Sequence, residues 1–192
     1  MVCLDEQPVQ FSKDTRTPIA ATMEPGRRVD SEYERAGTAS LFLFCEPLSG
    51  WRPVTVREGR TKIDWAVEVE QLLRTGYAEA KKVILICDNL NTHTKGAFSE
   101  AFDAETARSI VRRLEFRYTP KHGRWLNVAE NELSSMTPQC LPDRRIESIE
   151  LLREETTAWQ EHQNTKQRGV DWQFKIEDAR AKLKSLYPKS ST

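Results

Sequence analysis

Five apolar residues in unbroken succession, Val83-Ile84-Leu85-Ile86-Cys87, constrain the fold of this chain more than any other feature. A strand with one wet face alternates apolar and polar residues, whereas one apolar at every position must be covered on both faces, as in the centre of a parallel sheet. The covers are visible beside it. Ile63, Trp65, Ala66, Val69, Leu72 and Leu73 recur at helical spacing over 62–74, and Gly76 follows as a stop. The stretch 95–114 reads as helical with a break near Asp103, then 114–118 as a short strand and 119–123 as a loop. Leu126, Ala129, Leu133 and Met136 form one helical stripe over 125–136, which Pro138 is expected to end.

Ahead of the apolar run, 38–45 and 52–57 carry strand signals separated by Glu46-Pro47-Leu48-Ser49-Gly50, a hairpin connection between antiparallel neighbours. Val2 to Leu4 is an apolar stub ending at Asp5, a clipped first strand followed by a polar excursion to Glu34 with prolines at 8, 18 and 25. Two helices, 146–162 and 176–186, flank Val170-Asp171-Trp172-Gln173-Phe174. Strands first, then strands alternating with helices, predict a mixed α/β sheet with extra C-terminal helices. The expected division is a catalytic domain over 1–142 and a helical extension over 143–192.

The 29 basic residues balance 29 acidic ones, so no global field draws the chain to phosphate backbones and any nucleic-acid contact is local. Cys3, Cys45, Cys87 and Cys140 stand about forty residues or more apart, unlike paired zinc ligands, and read as buried, reduced thiols. No apolar run approaches the ~20 residues that cross a bilayer, and no signal peptide is evident; the expected compartment is the cytoplasm. The five tryptophans read as core anchors rather than stacking platforms for bases.

Asp5 and Asp88 both follow strands, where ligands of α/β sheets gather. With a third carboxylate from a later helix they would form the all-oxygen cup that magnesium requires. Taken singly, each also suits an ordinary turn former or helix cap.

Three blocks, Leu4-Asp5-Glu6-Gln7-Pro8, Cys87-Asp88-Asn89-Leu90-Asn91-Thr92-His93 and Thr119-Pro120-Lys121-His122-Gly123-Arg124-Trp125-Leu126-Asn127-Val128-Ala129-Glu130, resemble the signature blocks of mariner-related bacterial insertion-sequence transposases, the DDE superfamily endonucleases. The resemblance implies a ribonuclease-H-like fold, a mixed five-stranded sheet flanked by helices. It also implies two magnesium or manganese ions, and DNA nicking and strand transfer at transposon ends. By motif, Asp5, Asp88 and Glu130 are the metal ligands and catalytic acids. Asn91, His93, Lys121, His122 and Arg124 are read as groups that steady those ligands or touch DNA; His93 equally suits a helix-start residue with a local hydrogen bond. Arg124 departs from the small serine usual in the family.

Glu132 rivals Glu130, because the two point about 200° apart on a helix and periodicity does not separate them; the Trp-Leu-Asn-x-x-Glu register favours Glu130. Arg108, Arg112, Arg113 and Arg117 form a basic patch that could hold phosphates, or be ordinary solvated helix surface. The family places helix-turn-helix modules ahead of the catalytic domain, and Met1 stands four residues before Asp5. The implied partners are therefore DNA, a separate N-terminal DNA-binding portion or full-length transposase, and a second copy in a homodimer, with no membrane. The rival readings are an inactive truncated remnant that only associates with full-length enzyme, and a host ribonuclease-H-like nuclease.

Overall fold

Strands β1 (Val2–Asp14), β2 (Tyr33–Cys45), β3 (Val54–Arg57), β4 (Val83–Cys87) and β5 (Leu114–Tyr118) form one sheet in the order β3-β2-β1-β4-β5. The β1-β2 and β2-β3 pairs are antiparallel, and the β1-β4 and β4-β5 pairs parallel. Helices α1 (Lys62–Thr75), α2 (Lys95–Ala101), α3 (Ala104–Arg113), α4 (Val128–Cys140), α5 (Ile149–Lys166) and α6 (Ile176–Lys182) complete the order. The computed structural model describes residues 1–16, 32–120, 123–141, 145–171, 173, 175–182 and 184.

Two apolar cores sandwich the sheet. Val2, Leu4, Phe42, Phe44, Val83, Leu85 and Cys87 face α1, α2 and α3, where Trp65, Val69, Phe98 and Ile110 meet them. Cys3, Leu41, Leu43 and Cys45 face α4 and α5, against Ala129, Leu133, Met136, Leu152 and Trp159. Successive strand residues therefore enter opposite cores, which is why the run 83–87 is apolar throughout. Each large side chain so buried stabilises the fold by about 1.5–3 kcal/mol. Local signals set the ends. Thr61 and Asp64 close a capping box on α1, and Asp103 splits the 95–114 stretch by accepting from the N–H groups of Glu105 and Thr106 at 2.9 and 3.0 Å.

The first strand departs from expectation. It has thirteen residues rather than a stub, and pairs with β2 from Cys3↔Cys45 to Asp14↔Tyr33. Its pairing with β4 stops at Cys3, so Pro8, which lacks an N–H, stands where β1 has a strand on one side only. The register shifts between Phe11 and Ser12, opposite Gly37, whose φ of +125° is a conformation that glycine alone adopts readily. Ser12 donates its N–H to the carbonyl of Ile146 at 2.8 Å, tying the far part of β1 to the segment before α5.

Pro138 does not end α4 but lies inside its last turn, on the exposed side, where water can serve the carbonyl left without an N–H partner. All four cysteines are buried. Among the described residues no helix is long and apolar enough to cross a membrane.

Candidate active site

Asp5 lies inside β1 rather than at its end, just where β1 outruns β4. Continuing the pairs Val2↔Leu85 and Cys3↔Ile86 by two residues brings Asp5 level with Asp88, and neighbouring strands stand ~4.8 Å apart. By strand alternation Asp5 shares the α4 side of the sheet with Cys3. Both aspartates are buried. One Asp5 oxygen accepts from the N–H of Glu6 at 2.8 Å.

Asn127 brings the third acid to the same end. Its amide nitrogen donates to the carbonyl of Leu4 at 2.8 Å, and its side-chain oxygen caps α4 by accepting from the N–H of Ala129 at 3.2 Å. The first turn of α4 is thereby pinned to the residue that precedes Asp5. Glu130 stands on that turn, and its Oε2 is buried with no hydrogen-bond partner. An unsatisfied buried oxygen of this kind costs about 1–3 kcal/mol.

The rival glutamate is committed elsewhere. Arg52 holds Glu132 by both oxygens, Nε to Oε2 at 2.6 Å and Nη2 to Oε1 at 2.9 Å, while donating to the carbonyls of Gly50 and Arg168. The burial of this pair leaves Glu132 no part at the acid end of the sheet.

A buried histidine links Asp88 to a fourth carboxylate. His93 Nδ1 lies 2.8 Å from Asp88 Oδ1 and 3.2 Å from the Asp88 carbonyl, and Nε2 lies 3.0 Å from Glu6 Oε1. The imidazole stacks on Trp65 with centroids 5.3 Å apart, and Tyr118 Oη donates to the His93 carbonyl at 2.9 Å. Burial favours the neutral ring, yet bonds to Asp88, Cys87 and Glu6 outweigh it and push the pKa up to about 12. Two buried carboxylates thus flank the ring, one at each nitrogen, an arrangement that favours the imidazolium. Glu6 drew no notice in the sequence because alternation turns it away from Asp5 to the other face; only the closure of β4 onto β1 reveals what it meets.

Among the described residues no three His, Cys, Asp or Glu side chains are drawn together closely enough to hold a metal ion. The donor chemistry nevertheless fits a hard divalent cation: carboxylate oxygens at one end of the sheet, one of them orphaned. Like charges resist closer approach until a cation offsets their repulsion.

A family model described as DDE superfamily endonuclease matches residues 1–153. The chain belongs to the DDE superfamily endonucleases. Solved structures agree on the fold. The Mos1 strand transfer complex matches with a TM-score of 0.57 at 15% identity, over 82% of this chain and 46% of that one. The Mos1 mariner paired-end complex with Mn gives 0.55 at 18% identity, over 84% and 48%. The Mos1 mariner transposase catalytic domain gives 0.52 at 15% identity, over 82% and 68%. This chain thus spans less than half the length of the Mos1 chain in the two complexes. No curated protein matches. The sheet order and flanking helices of this DDE-family chain are those of the ribonuclease-H-like fold.

The remaining candidates divide. Asn91 is exposed and lines a 320 Å³ cleft with Glu6, Arg60 and Asn89. Lys121, His122 and the Arg124 side chain lie outside the described residues, as does Trp172. The basic patch is not uniform. Arg113 donates to the carbonyls of Tyr77, Ala78 and Ala80, and Arg117 pairs with Glu115. Arg108 and Arg112 are exposed. Trp65 and Trp159 are core residues, as expected.

Proposed function

We propose that this chain is the catalytic domain of a DNA transposase, nicking DNA and transferring strands with Asp5, Asp88 and Glu130 as ligands of two magnesium or manganese ions. The reading is supported by the buried Glu130 oxygen that lacks a partner, on a helical turn tied to the carbonyl of Leu4, the residue before Asp5. When bound, such a pair of ions supplies an activated water or 3′-hydroxyl and offsets the charge on the departing oxygen during in-line displacement at phosphorus. The protein's own contribution is rigidity. Asp5 is fixed by a strand paired on both sides at Cys3, Glu130 by the Asn127 bond to β1, and Asp88 by the His93 imidazolium that Glu6 anchors. We assign a DNA-contacting role to Asn91, and to Lys121, His122 and Arg124 by motif.

Recognition of transposon ends falls in this reading to a helix-turn-helix portion, with pairing of two copies at the ends. The Mos1 complexes, one with a left transposon end and one of strand transfer, support that assignment by analogy. The test is nicking of a short labelled duplex in manganese. Wild-type protein is expected to nick it, and Asp5→Asn, Asp88→Asn and Glu130→Gln to fall to background while folded. Well-folded wild-type protein that leaves the duplex intact would replace this reading with that of an inactive remnant.

A further inference from the structure

The face carrying α2 and α3 holds a 520 Å³ groove lined by Lys95, Arg108 and Arg112, with Gly96, Ser99 and Ala104 among its small residues. Among the described residues no carboxylate lines it. The acids on the flanking elements are engaged or turned away. Glu100 pairs with Lys62 at 3.2 Å, Asp103 caps its own helix, and Glu115 pairs with Arg117. Glu105 lines a different cleft, on the side of α3 that carries Arg113. Three exposed cations therefore share one trough with no opposing charge in its described lining, in a chain whose overall charge is zero.

The spacing suits a chain of phosphates. Arg108 and Arg112 stand one helical turn apart, about 6 Å along the axis of α3. The small side chains let a bulky polyanion come close. The trough also begins near His93, the partner of Asp88. Lys95 is two residues from His93, its ammonium lies 6.0 Å from the centre of the Phe116 ring, and the neighbouring Tyr118 holds the His93 carbonyl.

We infer that this groove is a sequence-independent track for the DNA backbone, Lys95, Arg108 and Arg112 each contacting phosphate and carrying DNA away from the catalytic acids across α2 and α3. The inference rests on the DNA-cutting reading for its ligand, but its test is separable, because binding can be measured without cleavage. Full-length protein carrying Asp88→Asn is titrated against a fluorescent duplex by anisotropy across a series of KCl concentrations. Adding Lys95→Ala, Arg108→Ala and Arg112→Ala together is expected to weaken binding by about tenfold or more at low salt, and to lower the slope of log K against log salt by about 0.9 for each phosphate that is no longer neutralised. The control Arg153→Ala with Lys166→Ala, exposed on α5 across the sheet, is expected to change neither quantity.

A folded triple variant with wild-type affinity and slope overturns the inference, as does a control that loses as much. If wild-type protein nicks DNA while the triple variant binds normally, the track falls and the catalytic reading stands. If nothing nicks but affinity follows these three residues, the track stands and the catalytic reading falls. Wild-type protein that binds no duplex removes both.

Discussion

Glu130 and Glu132 stand two residues apart on α4 and meet opposite fates. Glu132 is clamped by Arg52 with its charge compensated, while Glu130 keeps a buried oxygen unpaired. Their amide variants should therefore separate stability from chemistry. Glu132→Gln leaves a buried guanidinium without its counter-charge and should cost about 3–5 kcal/mol in urea unfolding. Glu130→Gln should leave the unfolding midpoint unchanged or raise it, while abolishing manganese-dependent nicking. Equal stability losses for the two variants would contradict the assignment. His93 adds a pH dependence whose sign follows from its raised pKa. The folded protein keeps that proton well above the 6.5 at which the unfolded chain releases it. The contribution of the imidazolium is thus complete below about 6.5 and declines as pH climbs towards the folded value. In chelator, the stability gap between wild-type and His93→Asn protein should shrink from pH 6 to pH 9; a gap that widens would mean that the folded ring is neutral, and a constant gap that its pKa is unshifted. Burial also pushes the thiols of Cys3 and Cys45 up, to about 11 and 12. Neither should react with a thiol reagent at pH 8 before the protein unfolds.

At the scale of elements, the hairpin of β1 and β2 marks where the sequence stops being informative. The run 83–87, the α1 stripe and the Asp103 break are legible because their signals are local: continuous apolarity, 3.6 periodicity and a capping side chain. The outer half of β1 is not, because Glu6 to Asp14 gains its strand form from pairing with β2, a partner remote in sequence. The same cause hid Glu6, whose partner His93 lies 87 positions away in sequence. Their positions after strands pointed to Asp5 and Asp88, but the proposed set of Asp5, Asp88 and Glu130 rests on motif resemblance, since strand ends and helix turns carry many acids with no such role. Arg52 gave no signal, because its partners lie on α4 and beyond α5. The hairpin offers its own check at Gly37. A side chain there must adopt φ near +125° facing Phe11, so Gly37→Val should destabilise the protein by about 1–3 kcal/mol while leaving helix content intact. Circular dichroism with urea titration reads both; no loss would mean that the register irregularity moves or disappears without cost.

Across the whole molecule, α5 decides how much of the chain is needed for one cooperative fold. Leu152 and Trp159 belong to the same core as Cys3, Leu43 and Met136. The polar side of α5 is equally committed: Gln160 accepts from the N–H of Val54 at 2.6 Å and Asn164 from the N–H of Arg52 at 2.8 Å, at and just before the edge strand β3. Trp159 itself donates to the Gln139 side chain on α4 at 3.0 Å. A division at residue 142 predicts that 1–142 folds alone, whereas this packing predicts that it does not. Deleting 143–192 would bare the part of the sheet beneath α5, around β3, strip the two N–H groups of their acceptors and remove the Arg168 carbonyl from Arg52. A fragment of 1–142 should therefore keep much of its secondary structure, bind a hydrophobic dye and lose its sharp unfolding transition. In the full chain, Trp159→Ala should cost about 3–5 kcal/mol. If the fragment instead unfolds cooperatively with little dye binding, α5 is an accessory layer on a self-sufficient catalytic domain, and the boundary belongs at 142.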